Sequence, residues 1–168
     1  MEFAAARVRG VGFLLWQARH MAYHVMLGLL WVWFLREMWQ ELNGWWIIIA
    51  AIGSILPDVD HLQYFFTYGK NDTYTKQIFA YAKKGQWRLM FRFMATGHKH
   101  NTSLSYHNIY VAILFGFGAL GASFVDWRIG VVLFGAIVSH FVFDMADDVV
   151  QLGRFNPNWM RWGRPKKK

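Results

Sequence analysis

The sequence has no cysteine and only three prolines in 168 residues. Without cysteine there is no disulfide framework and no thiolate zinc site, so any metal must be held by imidazole and carboxylate. Charge is also scarce. Asp, Glu, Lys and Arg together make up 17% of the chain, against about 25% in an ordinary soluble domain. Acids are the scarcest, ten against eighteen Lys and Arg, which leaves a net charge of +8. No internal repeat and no low-complexity stretch beyond the terminal Lys run is present, which excludes a repeat array. No cleavable signal peptide is expected, because Arg7, Arg9 and Arg19 interrupt the first twenty residues. What fills the chain is apolar: 55% hydrophobic, 19% aromatic, with ten Trp and fifteen Phe. That composition excludes disorder and argues against a soluble monomer. The basic balance joined to apolar excess points to a membrane surface before nucleic acid.

Four segments carry the apolar residues. Residues 11–35 contain only Gln17, Arg19, His20 and His24 as strongly polar positions. Residues 45–56 end at Pro57, residues 109–125 are uncharged, and residues 129–143 are apolar except for Ser139 and His140. A span needs roughly 20 apolar residues. The first and third segments meet this, the fourth meets it if it continues through Asp144, and the second is short, a half-span or a buried helix. If the chain crosses four times, sixteen of the eighteen Lys and Arg fall on one side, Arg36 and Arg128 alone on the other. The positive-inside rule then puts both termini and the 62–100 segment in the cytoplasm. The expected class is an all-α integral membrane bundle of about four hydrophobic helices with a basic amphipathic cytoplasmic segment. Residues 1–150 form one membrane-embedded domain and 151–168 a basic tail. Within 71–95, Asn71, Asp72 or Thr73 caps one helix and Gly85 separates it from a second. There Trp87, Met90, Phe91 and Met94 share a face and Arg88 and Arg92 are four apart, which suits either an anionic leaflet or a lid on the bundle.

Ionisable residues in apolar segments are costly and are functional candidates by default. This chain has His24 in the first segment and Asp58, Asp60 and His61 closing the second. His98, His100 and His107 lead into the third, and His140, Asp144, Asp147 and Asp148 lie in the fourth. His140 and Asp144 are i,i+4 and share a helix face, where an imidazole and a carboxylate can meet one metal. In the four-span arrangement all these residues reach the cytoplasmic leaflet, a coincidence of depth that scattered core histidines would not produce. At least one of Asp147 and Asp148 is expected to be solvated.

GSILPDVDH at 53–61, GHKHNTSL at 97–104 and HFVFD at 140–144 resemble the membrane-bound metal-dependent hydrolases of the YdjM type. That pattern opens with H-x-x-x-G, matched by His24 and Gly28. It continues with L-P-D-x-D-H, matched by Leu56 to His61, and closes with H-x-x-x-D, matched by His140 and Asp144. The element H-R-G-x-T-H-S is met only in part, by His98, Lys99, Thr102 and Ser103. The His expected between Thr102 and Ser103 is missing, and His100 or His107 can stand in for it. The resemblance covers about residues 20–150. It implies a helical hydrolase similar to zinc-dependent phospholipase C and single-strand-specific zinc nucleases.

The resemblance further implies His24, Asp58, His61, His98, His107, His140 and Asp144 as metal ligands. Asp60 and His100 follow as ligands or orienting catalytic residues, and Lys99 as the cation that steadies a phosphate. The cofactor expected is two or more divalent ions, zinc first, with manganese or iron as alternatives. Such ions activate water and clamp a phosphoester. The partners expected are membrane lipid and a phospholipid or lipid-linked phosphoester, with nucleic acid disfavoured. The location expected is the inner, cytoplasmic membrane. The alternative is a non-catalytic membrane protein with a structural or transported metal, or a lapsed site, acting as a binding or assembly subunit.

Overall fold

The computed structural model describes residues 11–101 and 104–161, with side chains described for 18–97 and 104–161. Arg7, Arg9, Thr102, Ser103 and the tail 162–168 lie outside the described residues. Among those described there are helices and turns but no strand. In chain order they are α1 (Val11–Trp39), α2 (Gly44–Ile55), a 3-10 turn (Leu56–Asp58), α3 (Val59–Phe66), α4 (Thr73–Lys83), α5 (Trp87–Asn101), α6 (Ile109–Phe124), α7 (Arg128–Leu152) and a 3-10 turn (Pro157–Met160). The chain divides into two compact units, whose boundaries fall inside α1 and α3. One comprises Met1–His20 and His61–Ser103, the other Met21–Asp60 and Leu104–Lys168.

In the larger unit the helix starts follow from local chemistry. The Asn43 side chain accepts from Trp45 N–H at 2.9 Å, capping α2, and the Asn108 side chain accepts from Val111 N–H at 3.0 Å, capping α6. Gly153, at φ +66°, closes α7 with a left-handed residue. Pro57 does not stop the second apolar segment. It sits at the start of the 3-10 turn, where a missing N–H costs nothing, and the helix resumes as α3. Gly44–Phe66 is therefore a 23-residue helical stretch, and with Arg128–Leu152 it is long and apolar enough to cross a membrane. The third segment gives a shorter apolar helix, Ile109–Phe124. The polar Arg19, His20 and His24 lower the apolarity of α1, though its 29 residues give it the length.

α7 is the central element of this unit and packs on both α6 and α2. Small residues set the spacing. A Cβ on Gly53 of α2 would lie 3.0 Å from the Leu133 carbonyl of α7, and one on Gly28 of α1 would lie 2.8 Å from the Ala50 carbonyl of α2. Close backbone approach through small residues is how helices associate where lipid weakens the hydrophobic drive. Gly135 of α7 lies under the Trp31 ring, and Trp31 Nε1–H donates to the Val131 carbonyl at 3.2 Å. Val32, Leu35, Trp46, Ala50, Val132 and Ala136 fill the core between them. The outer faces carry exposed Trp33, Ile52, Leu114, Phe117, Phe124, Val142 and Val150, an apolar coat suited to lipid rather than water.

The smaller unit contains α4 and α5, joined at Gly85 with φ +67°. Asp72 stands at the cap position of α4, as read from the sequence, but its carboxylate accepts from Tyr64 O–H at 2.8 Å instead of capping. Tyr74 O–H donates to the Met94 carbonyl at 3.1 Å. Burial pushes the Tyr74 phenol above its ordinary pKa, so it stays a donor. Phe93 of α5 packs on Tyr74 and Tyr81 of α4, and Met90 is buried.

The glycine contacts make a sharp prediction. Gly28→Ala forces Cβ against a backbone carbonyl, so it should cost about 1–3 kcal/mol. Gly121→Ala, with nothing within 4 Å, should be neutral or stabilising by up to about 1 kcal/mol. Thermal loss of helical circular dichroism in detergent separates the two. Equal midpoints would remove the close α1–α2 approach as a determinant of the fold.

Candidate metal centre

The larger unit gathers six of the ionisable residues singled out by sequence: His24 from α1, Asp58 from the 3-10 turn, Asp60 from the start of α3, His107 from the segment before α6, and His140 with Asp144 from α7. His24 and His140 are both 0% exposed, and Asp60 and His107 are buried. The centre of the group is the Asp144 carboxylate. His24 Nε2 lies 3.2 Å from its Oδ1. His107 Nε2 and His140 Nε2 lie 3.1 and 3.2 Å from its Oδ2. The His107 and His140 Nε2 atoms are 3.4 Å apart, and Asp58 Oδ1 is 3.9 Å from His140 Nε2.

Each imidazole is fixed from behind. His140 Nδ1 meets the Ser54 carbonyl at 2.7 Å. A carbonyl only accepts, so Nδ1 carries the proton and Nε2 faces the carboxylates. Ser54 can offer that carbonyl because the last carbonyls of a helix have no intrahelical partner. The His24 ring stacks on His140 with centroids 3.8 Å apart, and the Phe143 ring meets His24 edge-on. Asp60 fixes the third imidazole through the backbone: its Oδ2 accepts from Tyr106 N–H at 2.8 Å and His107 N–H at 3.2 Å. The Trp159 ring covers His107 at 5.8 Å.

Within the larger unit, two overlapping sets have one donor atom per residue with all atoms within 4.8 Å: His24, Asp58 and His140, and His107, His140 and Asp144. Imidazole nitrogen with carboxylate oxygen is the donor chemistry of zinc, and more carboxylate shifts the preference toward manganese or iron. Lewis-base atoms brought this close need a cation among them, a proton or a metal ion, so the residues fit a divalent ion. One Nε2 binds one ion, whereas a carboxylate with two oxygens can bridge two. The two sets share His140, so the five residues form one continuous donor cluster.

The remaining candidates are placed differently. His61 belongs to the smaller unit and is partly buried. His98, Lys99 and His100 lie on the last turns of α5, and their side chains are outside the described residues. Asp148 is buried and accepts from Trp159 Nε1–H at 2.8 Å, and Asp147 accepts from Gln151. Of the two stand-ins for the missing motif His, the structure sets His107 at Asp144. Sequence reading missed Ser54, which acts through a main-chain carbonyl and leaves no side-chain signal. It also missed Trp159, whose partnership with Asp148 spans the turn after α7.

Asp60 supplies the next prediction. Asp60→Ala strands the buried His107 N–H and the part-buried Tyr106 N–H and frees the His107 segment, so it should destabilise the protein by about 2–3 kcal/mol. Asp60→Asn keeps one acceptor oxygen and should cost about half as much. Thermal unfolding in detergent gives the ranking, and equal effects would show that the hydrogen bonds to Tyr106 and His107 carry no weight.

No curated protein and no solved structure matches the chain at significant similarity. Residues 20–165, which include every element of the centre, match the family described as YdjM inner membrane protein. The chain belongs to the YdjM inner membrane protein family.

Proposed function

We propose that this chain is a multi-pass inner-membrane hydrolase that uses divalent metal to cleave a phosphoester in a phospholipid or other lipid-linked molecule at the cytoplasmic leaflet. The observation that carries this reading is the convergence of three imidazole Nε2 atoms on Asp144. Two imidazole rings stacked at 3.8 Å pack well when neutral and repel when both are charged. With its Nδ1 proton on the Ser54 carbonyl, His140 offers Asp144 an Nε2 lone pair, and a metal ion there would balance the carboxylates without charging a ring of the stacked pair. Zinc, with manganese or iron as alternatives, would be held by His24, Asp58, His107, His140 and Asp144. Such an ion supplies Lewis-acid activation of water and neutralises phosphoester charge.

The chain's own residues do the rest. Ser54 and Asp60 hold His140 and His107 in place, which fixes ligand direction before metal arrives. Asp60 thereby acts as a positioning residue. Lys99, between His98 and His100 in the sequence, is proposed to steady a phosphate, and His100 to serve as a ligand or an orienting residue. Their charge and basicity suit a phosphoester.

Topology supports the leaflet. The Arg128 guanidinium pairs with Glu41, which ties together the short connections after α1 and before α7. His24, Asp58 and Asp144 lie some 14–16 residues along their helical segments from that end, about 21–24 Å at 1.5 Å per residue. Arg36 and Arg128 mark that far end, and a four-span arrangement would put the other sixteen Lys and Arg on the opposite side, which positive-inside assigns to the cytoplasm. The departure in the third motif favours the second reading, a non-catalytic subunit that keeps a structural or transported metal.

Metal analysis separates the readings. Detergent-purified protein should hold at least one zinc or manganese ion per chain, and His140→Ala with Asp144→Ala should lose it. Hydrolysis of a panel of phospholipids and phosphodiesters should stop on chelation and return on adding back the metal. Stoichiometric metal without hydrolysis of any panel member would favour the non-catalytic reading. Absence of stoichiometric metal would make the cluster a structural hydrogen-bond network.

A further inference from the structure

The smaller unit carries a surface that the metal centre does not use. From His61 to Gly97 the bases are Lys70, Lys76, Lys83, Lys84, Arg88 and Arg92, and Asp72 is the one acid. All six bases are exposed, while the Asp72 carboxylate is engaged by Tyr64. The stretch is thus strongly cationic and shows its charge on the outside.

Charge is only half of the pattern. The sequence spacing puts Trp87 on a face with Met90, Phe91 and Met94. In the structure that face divides: Met90 is buried in the hairpin, and Trp87 is 56% exposed. Leu89 beside it is 48% exposed. The turn at Gly85 sets Lys83 and Lys84 at the end of α4 immediately before Trp87, Arg88 and Leu89 at the start of α5. An exposed Trp and Leu among basic residues is the composition of a segment that sits at the headgroup level. The indole and Leu enter the acyl boundary while Lys and Arg face anionic headgroups.

We infer that the α4–α5 tip, residues 83–92, is an anchor for anionic lipid headgroups, with Trp87 and Leu89 inserted and Lys83, Lys84, Arg88 and Arg92 supplying charge. The occupant is the bilayer surface rather than a nucleic acid. A nucleic-acid groove needs bases stacked on aromatic faces along a strand path, whereas here one exposed Trp and one exposed Leu lie on different sides of the first turn of α5, where a helix end can present both to a headgroup layer. The bilayer is also at hand for a member of an inner membrane protein family. The inference does not depend on the hydrolase reading, because no residue of the tip belongs to the metal centre.

The absence of cysteine makes the test clean. Leu89→Cys gives one labelling site on the full chain, and a spin label there reports collisions with oxygen, which concentrates in the bilayer, and with a neutral nickel chelate, which stays in water. Nanodiscs of phosphatidylcholine and of an equal mixture with phosphatidylglycerol are compared. The oxygen-to-nickel ratio should rise roughly fivefold in the anionic discs, the weight of about one basic residue beside an anionic leaflet. The rise should fall away in about 1 M salt, where charge is screened within roughly 3 Å. Lys83→Gln, Lys84→Gln and Arg92→Gln together should abolish it. A label on Val142→Cys, an exposed site on α7, should stay oxygen-accessible throughout and reports that the protein is folded. A high nickel ratio in both discs would mean a water-facing tip and would overturn the inference. Shielding from both reagents would mean a lid packed on protein and would overturn it too. So would a ratio indifferent to phosphatidylglycerol but altered by added single-stranded RNA.

Discussion

The arrangement of the larger unit depends on one carboxylate. Asp144 is set in an apolar helix, where an isolated negative charge costs several kcal/mol after relaxation. It is tolerated because three imidazole nitrogens reach it from three parts of the chain. That condition is geometric. α1, the segment before α6 and α7 itself must all arrive within hydrogen-bond distance of the same two oxygens. Gly28, Gly53 and Gly135, where any Cβ would meet a neighbour, let the helices approach closely enough for short side chains to meet. The packing of glycines and the assembly of the centre are therefore one problem. A Cβ at Gly28 would push against Ala50 and Ser54, and Ser54 is the residue whose carbonyl holds His140.

The second layer of the centre shows why irregular backbone sits where it does. A regular helix end would leave carbonyls and N–H groups unsatisfied inside an apolar setting. Here the α2 end gives its carbonyl to His140, and the N–H groups before α6 go to Asp60. The 3-10 turn at Pro57 sets Asp58 and Asp60 near these ends. The polar groups that the breaks expose are the ones that orient the imidazoles. Thus the breaks in regular structure and the positioning of ligands satisfy each other's hydrogen bonds.

Much of this was legible in the sequence, and the reasons differ by residue. The spacing of His140 and Asp144 was enough to place both on one face, because i,i+4 in a helix is a fixed geometry. The turn at Gly85 and the helix start near Asp72 were legible from preferences that act within a few residues, although the Asp72 carboxylate turns to Tyr64 instead of capping. Pro57 misled because proline is read as a stop, whereas at the first position of a new turn it costs nothing, so the second segment is longer than its apolar run. Trp87 misled because periodicity assigns a face but not its partner: the same stripe holds a buried Met90 and an exposed indole. Asp148 looked like a tail acid since nothing local announces Trp159, eleven residues on. His107 was among the ligands expected from the sequence, but its contact with Asp144 depends on the chain path into α6, which spacing does not give. Ser54 had no chance of being read, because its contribution is a main-chain atom.

The scarcity of acids then has a structural reason. Three of the ten, Asp58, Asp60 and Asp144, are committed to the centre, Asp148 is buried against Trp159, and Asp72 is committed to Tyr64. An acid in such a place sacrifices its hydration and must be repaid by specific donors, so each one added to an apolar bundle demands further polar partners. Bases meet no such demand, since Lys and Arg can keep their heads in water or among headgroups while their stems cover apolar surface. A chain that commits its acids to specific hydrogen-bond and ion-pair partners and sends its bases outward ends with an excess of positive charge. The +8 balance is the outward counterpart of a carboxylate-containing interior, and the same asymmetry that fills the centre leaves the α4–α5 tip basic.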